Sequence, residues 1–154
     1  MATPGEVHLQ NASSISDFLF LRKVRNEVRS LMTNQVGRIG FFEQLRFYVF
    51  RPDNLDIQIV WLDGHRAGYL LVRNEGGNNY ITEAVRDTFR RKGLASFMLR
   101  AAIQNYPNLI AEIRSDNRPS LALHEAHGFK LVKTGAVMTY HHMGTAEIND
   151  PAEI

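Results

Sequence analysis

A chain of 154 residues with 44% hydrophobic and 10% aromatic content can bury one ordinary core, which bounds it to a single domain. Its formal charge of +2, from 18 basic and 16 acidic residues, is too small to imply a nucleic-acid partner, and the absence of cysteine excludes disulfides, thiolate metal ligands and covalent thiol catalysis. The opening Met1-Ala2-Thr3-Pro4-Gly5-Glu6 has no basic stretch leading into an apolar run, and no window reaches the length of a membrane span. A soluble, cytoplasmic protein with no membrane partner is expected.

In chain order, Val7-His8-Leu9-Gln10 alternates as a short opening strand, and Ser13 and Ser14 offer caps for the helix that follows. Ile15, Phe18, Leu19, Val24, Val28, Leu31 and Met32 give an amphipathic helical region, in one piece or two. A second helix runs from Phe41 to Phe50 and ends at Pro52-Asp53; its Phe41, Phe42, Leu45, Tyr48 and Val49 read as core-filling side chains. Ile57 to Leu62 and Ala67 to Val72 are strand-like, joined by the hairpin signal Asp63-Gly64.

Gly76-Gly77-Asn78-Asn79 makes the next turn, leading into a strand over Tyr80 to Val85. A helix then begins near Gly93, carries Leu94, Phe97, Met98, Ala101 and Ala102 at core-facing spacing, and stops at Asn105-Tyr106-Pro107. Leu109 to Ser115 reads as another strand. Asn117 can cap a further helix, with Pro119 in its first turn and Gly128 ending it in a left-handed residue. Lys130 to Val132 and Ala136 to Met143 complete the strands, so the domain is expected to span 1–143, with a polar tail over 144–154. This order predicts a mixed α/β sandwich.

The chemistry concentrates where the strand ending at Val85 meets the helix near Gly93, at Arg90-Arg91-Lys92-Gly93-Leu94-Ala95. The first N–H groups of a helix have no partner within it, and the helix dipole adds partial positive charge, so this junction suits phosphate oxygens. Gly93 and Ala95 keep the backbone approachable, and Arg90, Arg91 and Lys92 add formal charge. A diphosphate fits; a solvated basic turn is the plainer alternative.

Arg90-x-x-Gly93-x-Ala95 resembles the R/Q-x-x-G-x-G/A signature of the GNAT superfamily of acetyl-CoA-dependent N-acetyltransferases. The stretch from Asn117 through Ser120, Leu123 and His124 to Gly128-Phe129 is similar to that family's N-x-x-S/A-x-x-L-Y-x-x-x-G-F. The resemblance implies a single-domain, mostly antiparallel sheet with splayed central parallel strands flanked by helices, and acetyl-CoA as co-substrate in the splay. It implies that the pantetheine arm pairs with the backbone around Glu83, Ala84 and Val85, that the pyrophosphate sits on N–H groups from Arg91 to Ala95, and that Asn117 and Ser120 of the second motif also face the cofactor.

By the same resemblance His124 stands where the family usually has Tyr, as the acid that protonates the departing thiolate; an imidazole with a reference pKa near 6.5 can serve. Glu83 is the candidate base, with Glu112 and a water chain as rivals. For the acceptor, Arg25 and Arg29 at four-residue spacing resemble part of enzymes that acetylate nucleotide-linked amino sugars, and Asn79 and Tyr80 mark the strand start where it would enter. The His124 variant leans instead toward amino-acid-like acceptors. Adjacent His141 and His142 face opposite sides of a strand and make a poor metal pair, so no metal is expected. The expected function is acetyl transfer to the primary amine of a small molecule, by a monomer or homodimer; the alternative is a catalytically silent CoA-binding module.

Overall fold

Asp63 and Gly64 both take positive φ, 50° and 79°, the geometry of a two-residue hairpin turn, and so fold β2 (Leu55–Leu62) back onto β3 (His65–Glu75). The computed structural model describes residues 5–32 and 38–144. Gly76 and Gly77, again at positive φ, return the chain into β4 (Asn78–Val85), whose first residues come from the segment expected as turn. With β1 (Val7–Asn11), β5 (Leu109–Arg114), β6 (Lys130–Lys133) and β7 (Val137–His142), the described residues form one seven-stranded sheet in the order β1-β2-β3-β4-β5-β7-β6.

Every neighbouring pair is antiparallel except β4 with β5. That parallel pairing holds only at Asn79↔Leu109 and Tyr80↔Ile110, after which the strands part. Asn79 is spent on this junction: its side chain donates to the Pro107 carbonyl at 2.6 Å and accepts from Asn74 at 2.9 Å.

Helices α1 (Ile15–Glu27) and α2 (Phe41–Val49) cover one face of the sheet, where Phe18, Leu21 and Val24 pack with Ile57, Ile59, Tyr69 and Ala84. Ser14 caps α1 in a full capping box with Asp17. The helix stops at Glu27, and a separate 3-10 turn covers Arg29–Leu31. On the other face α3 (Leu94–Asn105) buries Leu94, Met98, Leu99 and Ala102 against Val60, Leu70, Ala111 and Ile113. Helix α4 (Arg118–Ala126) follows β5, and Gly128 leaves it at a φ of 86°.

The reading of α2 as core-filling needs correction. Phe41, Phe42 and Val49 are exposed, while Phe47 and Tyr48 pack their rings on Phe18 and the buried member is Gln44, which donates to the Phe18 carbonyl at 2.6 Å. A nine-residue helix packed against α1 at Phe18 has one inward stripe, and Gln44 occupies it. The tail expected over 144–154 lies, beyond Gly144, outside the described residues. Among the described residues no helix is long and apolar enough to cross a membrane.

Gly68 fixes how closely β3 approaches β4 beside the splay, because a Cβ there would overlap the Ala84 carbonyl and lie 3.0 Å from the Val85 Cα. Gly68→Ala is expected to lower folding stability by about 1–3 kcal/mol, as overpacking does. The urea midpoint should fall at unchanged slope; an unchanged midpoint would contradict this contact.

Candidate active site

Where β4 and β5 part, they open a cleft of about 640 Å³. Beyond Tyr80 the β4 edge facing β5 has lost its ladder partner, which leaves strand backbone able to pair with an extended ligand. Ala84 and Val85 line the cleft on this edge. At its mouth Arg90, Arg91, Gly93, Leu94 and Ala95 form the wall, Arg91 and Gly93 both at positive φ, 62° and 75°. No side chain caps the N-terminus of α3, so its first-turn N–H groups are left to a ligand. Lys92, expected to join this wall, is exposed and does not line the cleft; it sits between the two left-handed residues that turn the chain.

Asn117 and Ser120 line the opposite wall with Pro119. Asn117 occupies the N-cap position of α4, but its side chain makes no capping bond. Ser120 has a second task. Its carbonyl lies 2.7 Å from His124 Nδ1, and because a carbonyl only accepts, Nδ1 carries a proton. On the other side of the ring, His124 Nε2 lies 2.9 Å from Glu83 Oε1. The two residues singled out separately in the sequence therefore form one buried pair, their side chains 2% and 8% exposed, bridging β4 and α4 inside the cleft.

Burial by itself would lower the pKa of His124, yet the Glu83 carboxylate and the Ser120 carbonyl outweigh it and hold the ring above its ordinary 6.5. With both nitrogens facing acceptors, the imidazolium form of the ring is favoured over the neutral one. His124 is 1% exposed, so its ring belongs to the cleft and not to the outer surface of α4.

The rest of the second motif explains how α4 delivers this ring. Glu125 accepts from the Tyr140 hydroxyl at 2.6 Å, anchoring α4 to β7, and His127 Nε2 meets Ser96 Oγ at 2.8 Å, anchoring it to α3. Phe129, buried, stands edge-on to His124 with ring centroids 5.1 Å apart. Three of the five residues that follow His124, namely Glu125, His127 and Phe129, thus hold it in the cleft.

The expected acceptor residues are placed differently. Asn79 and Tyr80 lie at the closed end of the splay and do not line the cleft; Tyr80 lies under the Arg73 guanidinium, 5.1 Å from the ring centroid. Arg25 and Arg29 do not line it either. Arg25 lies near Tyr69, whose phenol burial pushes up to about 12 with Arg25 acting against the shift and Glu83 adding to it. Arg29 is exposed on the 3-10 turn, off the face of α1. Val28, Leu31 and Met32 form the wall on this side instead, together with Thr82 and Glu112. In the sequence those three apolar residues look like any continuation of the α1 core stripe.

A family model described as the acetyltransferase (GNAT) family matches residues 21–129, which include the anion loop, Glu83 and His124. The chain belongs to the GNAT family. As a GNAT acetyltransferase it is 27% identical over 122 residues to an N-alpha-acetyltransferase of Saccharolobus solfataricus, covering 64% of this chain and 73% of that protein. Among solved structures, spermidine N-acetyltransferase from Vibrio cholerae, in complex with CoA and spermine, superposes with a TM-score of 0.80 at 14% identity, covering 93% of this chain and 98% of that one. RimL, a ribosomal-protein alpha-N-acetyltransferase in complex with coenzyme A, gives 0.74 at 16% identity, covering 92% and 96%.

A Cβ added at Gly93 would meet no atom within 4 Å, so only its φ of 75° resists substitution. Gly93→Ala is expected to cost about 1–2 kcal/mol of stability through that strain, and to weaken CoA by a larger factor if the diphosphate lies against the loop backbone, where the methyl would stand. Calorimetric titration of folded Gly93→Ala protein with CoA measures the second effect. Wild-type affinity would mean that the ligand does not approach the loop backbone.

Proposed function

We propose that this acyltransferase moves the acetyl group of acetyl-CoA to the primary amine of a small, amino-acid-like acceptor by direct attack, with Glu83 as base and His124 as acid. The observation that carries the reading is the 2.9 Å contact between Glu83 and His124 within the cleft. Acetyl-CoA is the co-substrate: its diphosphate lies on the α3 N-terminus and its pantetheine arm along the free edge of β4, which brings the thioester to the level of Glu83. The site holds two reactants in line and needs no covalent intermediate.

The proton path closes on itself. As the amine nitrogen forms its bond to the carbonyl carbon, Glu83 takes the proton that nitrogen sheds. As the carbon–sulfur bond breaks, His124 gives its Nε2 proton to the thiolate. Glu83 then returns its proton to Nε2 across the 2.9 Å bond, and the pair is as it began. Nδ1 takes no part, because the Ser120 carbonyl holds its proton. The net change is one proton moved from nitrogen to sulfur.

The cleft's charge sorts its two ligands. Its arginines, Arg90 and Arg91, stand at the loop, while the carboxylates Glu83 and Glu112 and the apolar Val28, Leu31 and Met32 stand at the other wall. That wall favours an amine that arrives as an ammonium on an uncharged or apolar body and gives its extra proton to solvent before attack, and with Arg25 and Arg29 outside the lining it offers a phosphorylated sugar no partner among the described residues. Spermine and protein N-termini, the amines named for the structural neighbours, belong to the same broad chemical class.

Thiol release from acetyl-CoA over a panel of amines tests this reading. His124→Gln and Glu83→Gln should each lower kcat by about 10²- to 10⁴-fold, with acetyl-CoA affinity little changed. In Glu83→Gln, loss of the carboxylate lowers the His124 pKa, so the alkaline limb of the residual pH profile should move to lower pH. Full turnover in folded His124→Gln, or an alkaline limb that stays in place in Glu83→Gln, would refute the assigned roles.

A further inference from the structure

A second concavity of about 440 Å³ lies between α1 and the start of β3, and it shares only Phe89 with the lining of the acyl cleft. Four basic side chains border it, Lys23, His65, Arg66 and Arg86, and among the described residues that line it none is acidic. Its apolar wall is made by Leu19, Phe20 and Phe89.

The two arginines are held in place before any ligand arrives. Arg66 places Nε 3.0 Å from Asp17 Oδ1 and lies over the Trp61 ring, 4.7 Å from its centroid. Asp17 is itself fixed by N–H donors from Ser13 and Ser14, at 3.0 and 3.2 Å. Burial would raise its pKa, but those donors and Arg66 win and keep it ionised below the ordinary 3.8. Arg86 places Nε 3.3 Å from Glu27 Oε1. Each guanidinium is thus oriented through its Nε by a carboxylate on α1, and Lys23, exposed on the same helix one turn before Glu27, adds a third cation.

We propose that this concavity is a binding site for a small organic anion, its carboxylate or phosphate held by Arg66, Arg86 and Lys23 and its flat apolar body against Leu19, Phe20 and Phe89. Oriented guanidinium groups beside an apolar wall select for both parts of such a molecule, since neither alone fills the space. An ammonium acceptor would meet like charge here, so the site is distinct in chemistry as well as in place from the wall that faces Glu83.

Trp61, the sole tryptophan in the chain, lies directly under Arg66 and reports on occupancy by its fluorescence. Benzoate and phenyl phosphate, titrated into the full chain, should each give a saturable fluorescence change that persists at saturating CoA; whichever binds tighter identifies the preferred head group. Arg66→Gln and Lys23→Ala should each weaken binding by roughly tenfold, the size expected for losing one charge-assisted contact. Lys23 is exposed, so its substitution leaves the fold as it is. Absence of a saturable change with both probes, displacement of the probe by CoA, equal binding of neutral benzamide, or wild-type affinity in Lys23→Ala would each overturn the proposal.

Discussion

Two residues of parallel pairing, Asn79↔Leu109 and Tyr80↔Ile110, decide how the rest of this molecule can work. A continuous β4–β5 ladder would close the sheet and leave no space for a ligand. With none, the two halves would not share a sheet. The short ladder sits at one end and is pinned by side chains, the Asn79 amide reaching Pro107 and Asn74. The strands beyond it diverge as two walls with unpaired backbone between them. Gly68 holds β3 tightly behind the β4 wall, and α3 leaves its N-terminus at the open end. A cofactor with amides along an arm and a diphosphate at its end matches that sequence of free groups.

The divergence also creates an electrostatic problem, because it leaves Glu83 facing inward on a nearly buried wall. Its answer is a histidine from the other wall. Removing both charges from water is costly, and removing one partner alone costs roughly 3–5 kcal/mol in comparable buried pairs. The anchors of α4 through Tyr140 and Ser96 keep the two groups at bonding distance without either having to search. Since His124 has its pKa raised by folding, the stabilisation from this pair is complete below about pH 6.5 and is lost as pH rises through the raised value. Function and fold therefore lean on the same contact, and a change at position 124 or 83 alters both.

Local rules carried the elements well. Asp63-Gly64, Ser14 as the cap of α1, and Gly128 each act through backbone geometry that a few neighbouring residues dictate, and the structure uses each as expected. The basic loop was legible for the same reason, and the motif around His124 through its resemblance to the family's pattern. What sequence left unseen is what depends on distant partners. Glu83 and His124 are 41 positions apart and could be named singly, but their contact requires the splay and the anchoring of α4. Asn79 looks like a turn or site residue until Pro107 arrives beside it. Val28, Leu31 and Met32 carry the apolar pattern of a core, and only the break of α1 at Glu27 turns them toward the cleft. Arg25 and Arg29 share a face only on a helix that continues, and this one does not.

The central claim is that His124 is held as an imidazolium by Glu83. Its direct test is the imidazole nitrogen spectrum of labelled protein across pH, with the His124 signals identified by their loss in His124→Gln. The account predicts both ring nitrogens protonated at neutral to mildly acidic pH and a titration midpoint above 6.5. A midpoint at or below 6.5, with a neutral ring at the lower end of the enzyme's working range, would contradict it.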